Sequence, residues 1–157
     1  MKVLGIDPGL NNVGYAILET AKNNSVTYIR SGVIKTNPKN DLPSRLHKIY
    51  SSLDEIINSY QLDIICIEEV FVNMNAKSTM LLSFARGAIL TAIGKYNIET
   101  VELAPNFIKK TVVGSGRADK IQIQKMISMI LPDAKYSSSD EADAIAIAYS
   151  ALVSKNF

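Results

Sequence analysis

Apolar and polar positions follow two rhythms along this chain, and the switches between them mark its elements. Residues 2–6, 13–18 and 26–33 are short apolar or alternating runs, with Asp7-Pro8-Gly9 after the first and Ala21-Lys22-Asn23-Asn24-Ser25 after the second. Turn formers between such runs predict three strands joined by tight returns. The rhythm then changes to three and four: Leu42, Leu46, Ile49, Leu53 and Ile56 mark one face of a helix ending near Ser59. Asp41 is placed as its N-cap and Pro43 in its first turn. Residues 62–68 return to strand, and Ile64 to Ile67 holds no polar residue, which predicts an interior strand covered on both faces. Residues 78–95 form a helix of a different kind. Met80, Leu81, Leu82, Phe84, Ala85, Ala88, Ile89, Ala92 and Ile93 leave it almost no polar face. A helix apolar around most of its circumference is covered on two sides. Here the sheet supplies one cover, and a second copy of the chain is the expected other. A strand over 98–103 and helices over 118–130 and 139–153 complete an α/β pattern. Its first three strands form a meander and its later strands enter through helical crossovers.

Composition narrows the partners. The 157 residues are 47% hydrophobic and 20% charged, which fits one globular domain spanning residues 1–157 and argues against disorder. The net charge of +2 is unevenly spread: Lys109, Lys110, Arg117, Lys120 and Lys125 face only Asp119 within residues 109–125, a balance of 5 − 1 = +4 that leaves −2 for the rest. A basic patch on a near-neutral body suits a polyanion docked on one face. Cys66 is the only cysteine and lies among isoleucines, so it predicts a buried strand residue and no internal disulfide; His47 is the only histidine, which excludes a His-rich zinc site. Met1-Lys2 runs straight into a strand with no leader pattern, and no apolar stretch reaches the ~20 residues that span a bilayer. A cytoplasmic protein without membrane contact is expected.

The acids carry the chemistry. Asp7 ends the first predicted strand, Glu68 and Glu69 end the interior one, and Asp140 and Asp143 lie three apart at the start of the last helix, where they share a face. If the first and interior strands are parallel neighbours, their acids meet at the sheet edge that ligands favour. Carboxylates without His or Cys are hard oxygen donors that select Mg²⁺ or Mn²⁺. Two such ions can activate water and steady the leaving oxygen of a phosphodiester. Each acid also has a plainer reading. Asp7 before Pro8-Gly9 can start a turn, and Asp140, Glu141 and Asp143 can complement a helix dipole, with Ser138 and Glu141 as a capping box. Neighbouring strand residues point to opposite faces, so pattern alone does not choose between Glu68 and Glu69.

Gly5-Ile6-Asp7-Pro8-Gly9 with Gly14-Tyr15, and Asp41-Leu42-Pro43-Ser44-Arg45-Leu46, resemble the N-terminal half of the RuvC crossover-junction endodeoxyribonucleases. Ile67-Glu68-Glu69-Val70-Phe71, Ala85-Arg86-Gly87, Thr111-Val112-Val113-Gly114 and Asp140-Glu141-Ala142-Asp143-Ala144 continue that resemblance in order, over nearly the whole chain. It implies a ribonuclease H-like fold, a five-stranded mixed sheet flanked by helices. It implies an Mg²⁺-dependent nuclease, with Mn²⁺ as a possible substitute and two ions per subunit, that resolves four-way (Holliday) DNA junctions. Asp7, Glu68, Asp140 and Asp143 are then the metal-binding catalytic carboxylates, which selects Glu68 over Glu69. Phe71 matches the position that stacks at the opened junction centre. Lys109 and Lys120 match basic residues near the scissile phosphate, and Lys110 and Arg117 are further phosphate contacts. A homodimer and the RuvA–RuvB branch-migration complex are the implied partners. The chain stops at Phe157, short of the basic tail expected from the resemblance, which touches auxiliary contacts and not the chemistry.

Three other readings start from the same residues. Ribonuclease H-like RNA nucleases of the YqgF type share Gly-Ile-Asp-x-Gly, but the 41–46 and 111–120 segments argue against them. Actin-like ATPases also place Asp-x-Gly near a strand end, yet need two lobes. An inactive DNA-binding module would keep unpaired acids beside DNA, which opposes binding.

Overall fold

A computed structural model of the chain describes residues 1–21, 25–70 and 75–155. Strands β1 (Lys2–Asp7), β2 (Asn12–Thr20) and β3 (Val26–Lys35) form an antiparallel meander. Strands β4 (Ile64–Glu68) and β5 (Glu99–Leu103) add in parallel on the other side of β1, giving the order β3-β2-β1-β4-β5. Helix α1 (Leu42–Ser59) leads from β3 to β4 and α2 (Ala76–Ile93) from β4 to β5; α3 (Pro105–Val113), α4 (Lys120–Ile130) and α5 (Ser139–Lys155) follow. This is the expected ribonuclease H-like arrangement.

Strand alternation divides the interior into two cores. Val3, Ala16, Leu18, Ile64 and Cys66 face α3, α4 and α5, while Leu4, Ile6, Tyr15, Ile17, Ile65 and Ile67 face α1 and α2. β4 is interior and buried from Ile64 to Ile67, as its unbroken apolar run predicts. Burial pushes the Cys66 thiol up to about 12, so it is a packing residue. Helix α5 lies unusually close to the sheet, because β1 and β2 offer it glycines. A Cβ on Gly5 would stand 2.4 Å from the carbonyl oxygen of Ala144, and one on Gly14 would stand 2.1 Å from that of Asp140.

Beyond shifts of a residue or two at other element ends, four differences from the pattern reading have a physical cause. Helix α3 was not expected. Its nine residues bury only Ile108 and Val112, too few to show a period, and its signals are terminal: Pro105 at its start and left-handed Gly114 (φ 82°) at its end. Helix α4 begins at Lys120, two residues later than expected, because Asp119 forms a reciprocal capping box with Gln122. Asp41 precedes α1 without a side-chain cap hydrogen bond; the proline in the first turn does the starting. Helix α2 starts earlier, where Asn75 accepts from the Ser78 N–H at 3.2 Å. It buries Ala85, Ile89, Ala92 and Ile93, while Met80, Phe84 and Leu90 remain exposed. The return after β2 lies partly outside the described residues. Among the described residues no helix is long and apolar enough to cross a membrane.

Candidate active site

The parallel register of β1 on β4 pairs Ile6 with Ile67, so Asp7 and Glu68 close adjacent strands side by side. Both belong to the alternation that faces α5, and α5 brings Asp143 in from above. The three carboxylates line one cavity of about 230 Å³, together with Lys109, Lys120, Pro105 and the apolar wall of Ile108, Ile123, Ala146 and Ile147. Asp140, half-buried one turn before Asp143, is close enough for its charge to act on Asp7. Glu68 therefore reaches the cavity and Glu69, one residue on, is not among its described lining residues.

Like charges gathered in a poorly solvated place resist ionisation. Burial first, and then the charges of Asp143, Glu68 and Asp140, push the Asp7 carboxyl up to about 8 from its ordinary 3.8; the Lys120 ammonium opposes them. Burial and Asp143 likewise raise Glu68, with Lys120 and Lys109 opposing. Lys120 donates to the Asp143 carboxylate at 3.0 Å, and this bond holds the ammonium above its ordinary range. Two lysines thus only partly balance the acids. Among the described residues no three acid, His or Cys side chains already stand close enough to hold an ion. The acids line an open cavity instead of a finished cage. The donor set nevertheless fits a divalent cation: oxygens only, with a surplus of negative charge that raises the proton affinity of Asp7.

Neighbouring groups hold this arrangement in place. Glu141, buried between Asp140 and Asp143, accepts from the Ser31 hydroxyl at 2.8 Å and from the Ser137 N–H and hydroxyl at 3.2 and 3.0 Å. The Ser138 hydroxyl donates to it at 3.2 Å and accepts from the Glu141 N–H at the same distance. Burial would raise this carboxyl, but the hydrogen bonds win and hold it below the usual carboxylate range. Half of the expected capping box is present, since Ser138 accepts from the Glu141 N–H while the Glu141 carboxylate takes the Ser137 N–H instead of that of Ser138, and its bond to Ser31 ties α5 to β3. Arg45 explains the 41–46 motif physically. It donates to Thr36 Oγ1 at 3.0 Å, to the Leu10 carbonyl at 3.3 Å and to Asn11, and so straps down the loop that follows Asp7.

Of the basic residues singled out in the sequence, Lys109 and Lys120 reach the cavity. Lys110 and Arg117 are exposed and are not among its described lining residues. Phe71 lies outside the described residues. Sequence reasoning gave no role to Glu141 beyond a cap or to the individual arginines at 45 and 86; the signal in the sequence is that all three lie within the motifs of the 41–46, 85–87 and 140–144 segments.

A family model described as "Crossover junction endodeoxyribonuclease RuvC" matches residues 3–151. The chain belongs to the RuvC family. It is 48% identical over 160 residues to the crossover junction endodeoxyribonuclease RuvC of Rickettsia massiliae (strain Mtu5), covering 100% of both chains. The RuvC of Rickettsia bellii (strain RML369-C) is equally similar, at 48% over 160 residues and 100% of both chains. Among solved structures, T. thermophilus RuvC in complex with Holliday junction substrate superposes with a TM-score of 0.90 at 25% identity, over 99% of this chain and 96% of that one.

Proposed function

We propose that this chain is a structure-specific endonuclease that resolves four-way DNA junctions by paired hydrolytic nicks, in recombination and repair. One observation carries the reading: Asp7, Glu68 and Asp143 line a single cavity with Lys109 and Lys120, and Asp140 stands within electrostatic reach. Membership of the RuvC family and likeness to a RuvC bound to a Holliday junction supply the substrate class. The RNA-directed alternative has no such support.

Asp7, Glu68, Asp140 and Asp143 would hold Mg²⁺ or Mn²⁺, two ions in the reading we favour. Such ions would supply water activation and charge neutralisation on the phosphate. Lys109 and Lys120 border the acids, positioned to meet the phosphate bearing the scissile bond. Water oxygen bonds to phosphorus as the bond from phosphorus to the 3′ oxygen breaks, in line and with no covalent enzyme intermediate. The ends are a 5′-phosphate and a 3′-hydroxyl that has taken a proton. Lys110 and Arg117, exposed beside this region, contribute phosphate contacts that make affinity salt-dependent without reading sequence. Phe71 stacks on an unpaired base at the junction centre, a contact worth ~1–3 kcal/mol per base.

The exposed Met80, Phe84 and Leu90 of α2 form the interface of a two-fold homodimer, whose two sites nick opposed strands of like polarity. The RuvA–RuvB complex is the proposed upstream partner, and the cytoplasm the place of action. The test is a synthetic four-way junction incubated with and without Mg²⁺, with the nicks mapped and structured RNA run in parallel. Asp7→Asn is expected to bind the junction and not to cut it. Metal-dependent cutting by that variant, or preference for the RNA, overturns the reading.

A further inference from the structure

Glu68 is the last residue of β4, and the peptide that follows it still donates the Glu69 N–H to the Leu103 carbonyl of β5 at 2.9 Å. Holding the carbonyl of the same peptide as well limits how far the backbone at Glu68, and with it the Cβ, can turn. Arg86, on α2, donates from Nη1 to the Glu68 main-chain carbonyl at 3.0 Å, and its Nη2 forms an ion pair with Glu102 of β5. One planar guanidinium therefore ties the ends of two adjacent parallel strands, on the opposite side of the sheet from the cavity. Its side chain is 17% exposed. Arg86 is not among the described residues lining the cavity, so it has no place to meet a phosphate there. Its donors form a rigid planar fork. Lysine, with one compact ammonium, can satisfy one of these acceptors but not both in this geometry.

We infer that Arg86 is a positioning residue: through the backbone it fixes the angle at which Glu68 offers its carboxylate to a divalent cation. The inference rests on the reading of Glu68 as a metal ligand given above. It goes beyond that reading by assigning a residue of α2, on the far face of the sheet, to the performance of the site.

The experiment measures two quantities on the full-length protein: Mn²⁺ affinity by calorimetry without DNA, and kcat and KM for junction cleavage. Outer groups that orient metal ligands typically change affinity or activity by roughly 10- to 100-fold. Arg86→Ala is expected to weaken Mn²⁺ binding and lower kcat within that range, with KM unchanged. Arg86→Lys is expected to recover part of both, and Glu102→Gln to lose less than Arg86→Ala. A folded Arg86→Ala with wild-type Mn²⁺ affinity and kcat overturns the inference. So does a rise in KM alone, which would make Arg86 a DNA contact. Should Arg86→Ala not fold, Arg86→Lys and Glu102→Gln decide, and wild-type values for both overturn it equally. Glu68→Gln, run alongside, separates the two levels. If it binds Mn²⁺ and cuts like wild type, the metal-ligand reading fails. If it loses both while the Arg86 variants do not, only the positioning role falls.

Discussion

On the α1–α2 face of the sheet, β1 and β4 present Leu4, Ile6, Ile65 and Ile67, all buried in an apolar core. On the α5 face the alternate residues of the same two strands are Val3, Gly5 and Asp7, and Ile64, Cys66 and Glu68. The first face is filled by side chains and serves stability. The second is thinned by glycine so that a helix backbone can close on the strands, and the acids stand at the end where that helix starts. A two-residue repeat thus lets one strand build core and site together. The charged end opposes folding until a counter-charge arrives, because Asp7 and Glu68 are held where they ionise reluctantly.

The largest expected effect separates the faces by pH. The folded pKa of Asp7, about 8, lies above its ordinary 3.8, so the folded protein holds this proton more tightly than the unfolded chain. Without divalent cations, the contribution of Asp7 to stability is greatest below the ordinary value and falls as pH rises toward about 8, by up to about 1.4 kcal/mol per pH unit. Denaturant melts in chelator at several pH values check this. Asp7→Asn should flatten the slope, and Mn²⁺ should offset it. An unchanged slope in that variant would show that the acids do not load this face.

A smaller effect tests how closely α5 approaches. Gly14→Ala puts a methyl against the Asp140 backbone, and overpacking of this kind costs about 3 kcal/mol. Cleavage should fall further than stability accounts for, because the start of α5 must move. Gly32→Ala, where a Cβ would meet the Tyr15 ring and hydroxyl instead of backbone, is expected to be milder in melting temperature and to spare cleavage. Equal effects from the two substitutions would mean that the two faces are packed alike.

The smallest effect on the chain itself concerns α2. Phe84 is 41% exposed, and Phe84→Glu should change chain stability by less than about 0.5 kcal/mol. In sedimentation the wild-type chain is expected to run as a dimer and the same variant as a monomer. A dimer that survives the substitution moves the interface away from α2.

Much of this was legible in the residues, and the part that was not has a consistent cause. The apolar run Ile64–Ile67 and the three-and-four spacing from Leu42 report burial directly, because an element packed on one or both faces writes its period into the chain. Helix α3 wrote none: it is short, it buries two residues, and only its capping residues mark it. The basic run of 109–125 was visible as charge. That Lys109 and Lys120 reach the cavity while Lys110 and Arg117 do not depends on how α3 and α4 are turned.

Residue order alone specified the strands and every helix except α3, the ends at which the acids stand, and the family motifs, since these depend on neighbours within a few positions. Contacts between distant segments decided the rest. The parity that puts Glu68 beside Asp7, the closeness of α5 over Gly5 and Gly14, the Glu141 clamp to Ser31 and the Arg86 link to Glu68 each join residues far apart in sequence. Their strength depends on a few tenths of an ångström, because charge, hydrogen bonding and steric overlap all vary steeply with separation, and residue order sets no such distance between remote segments.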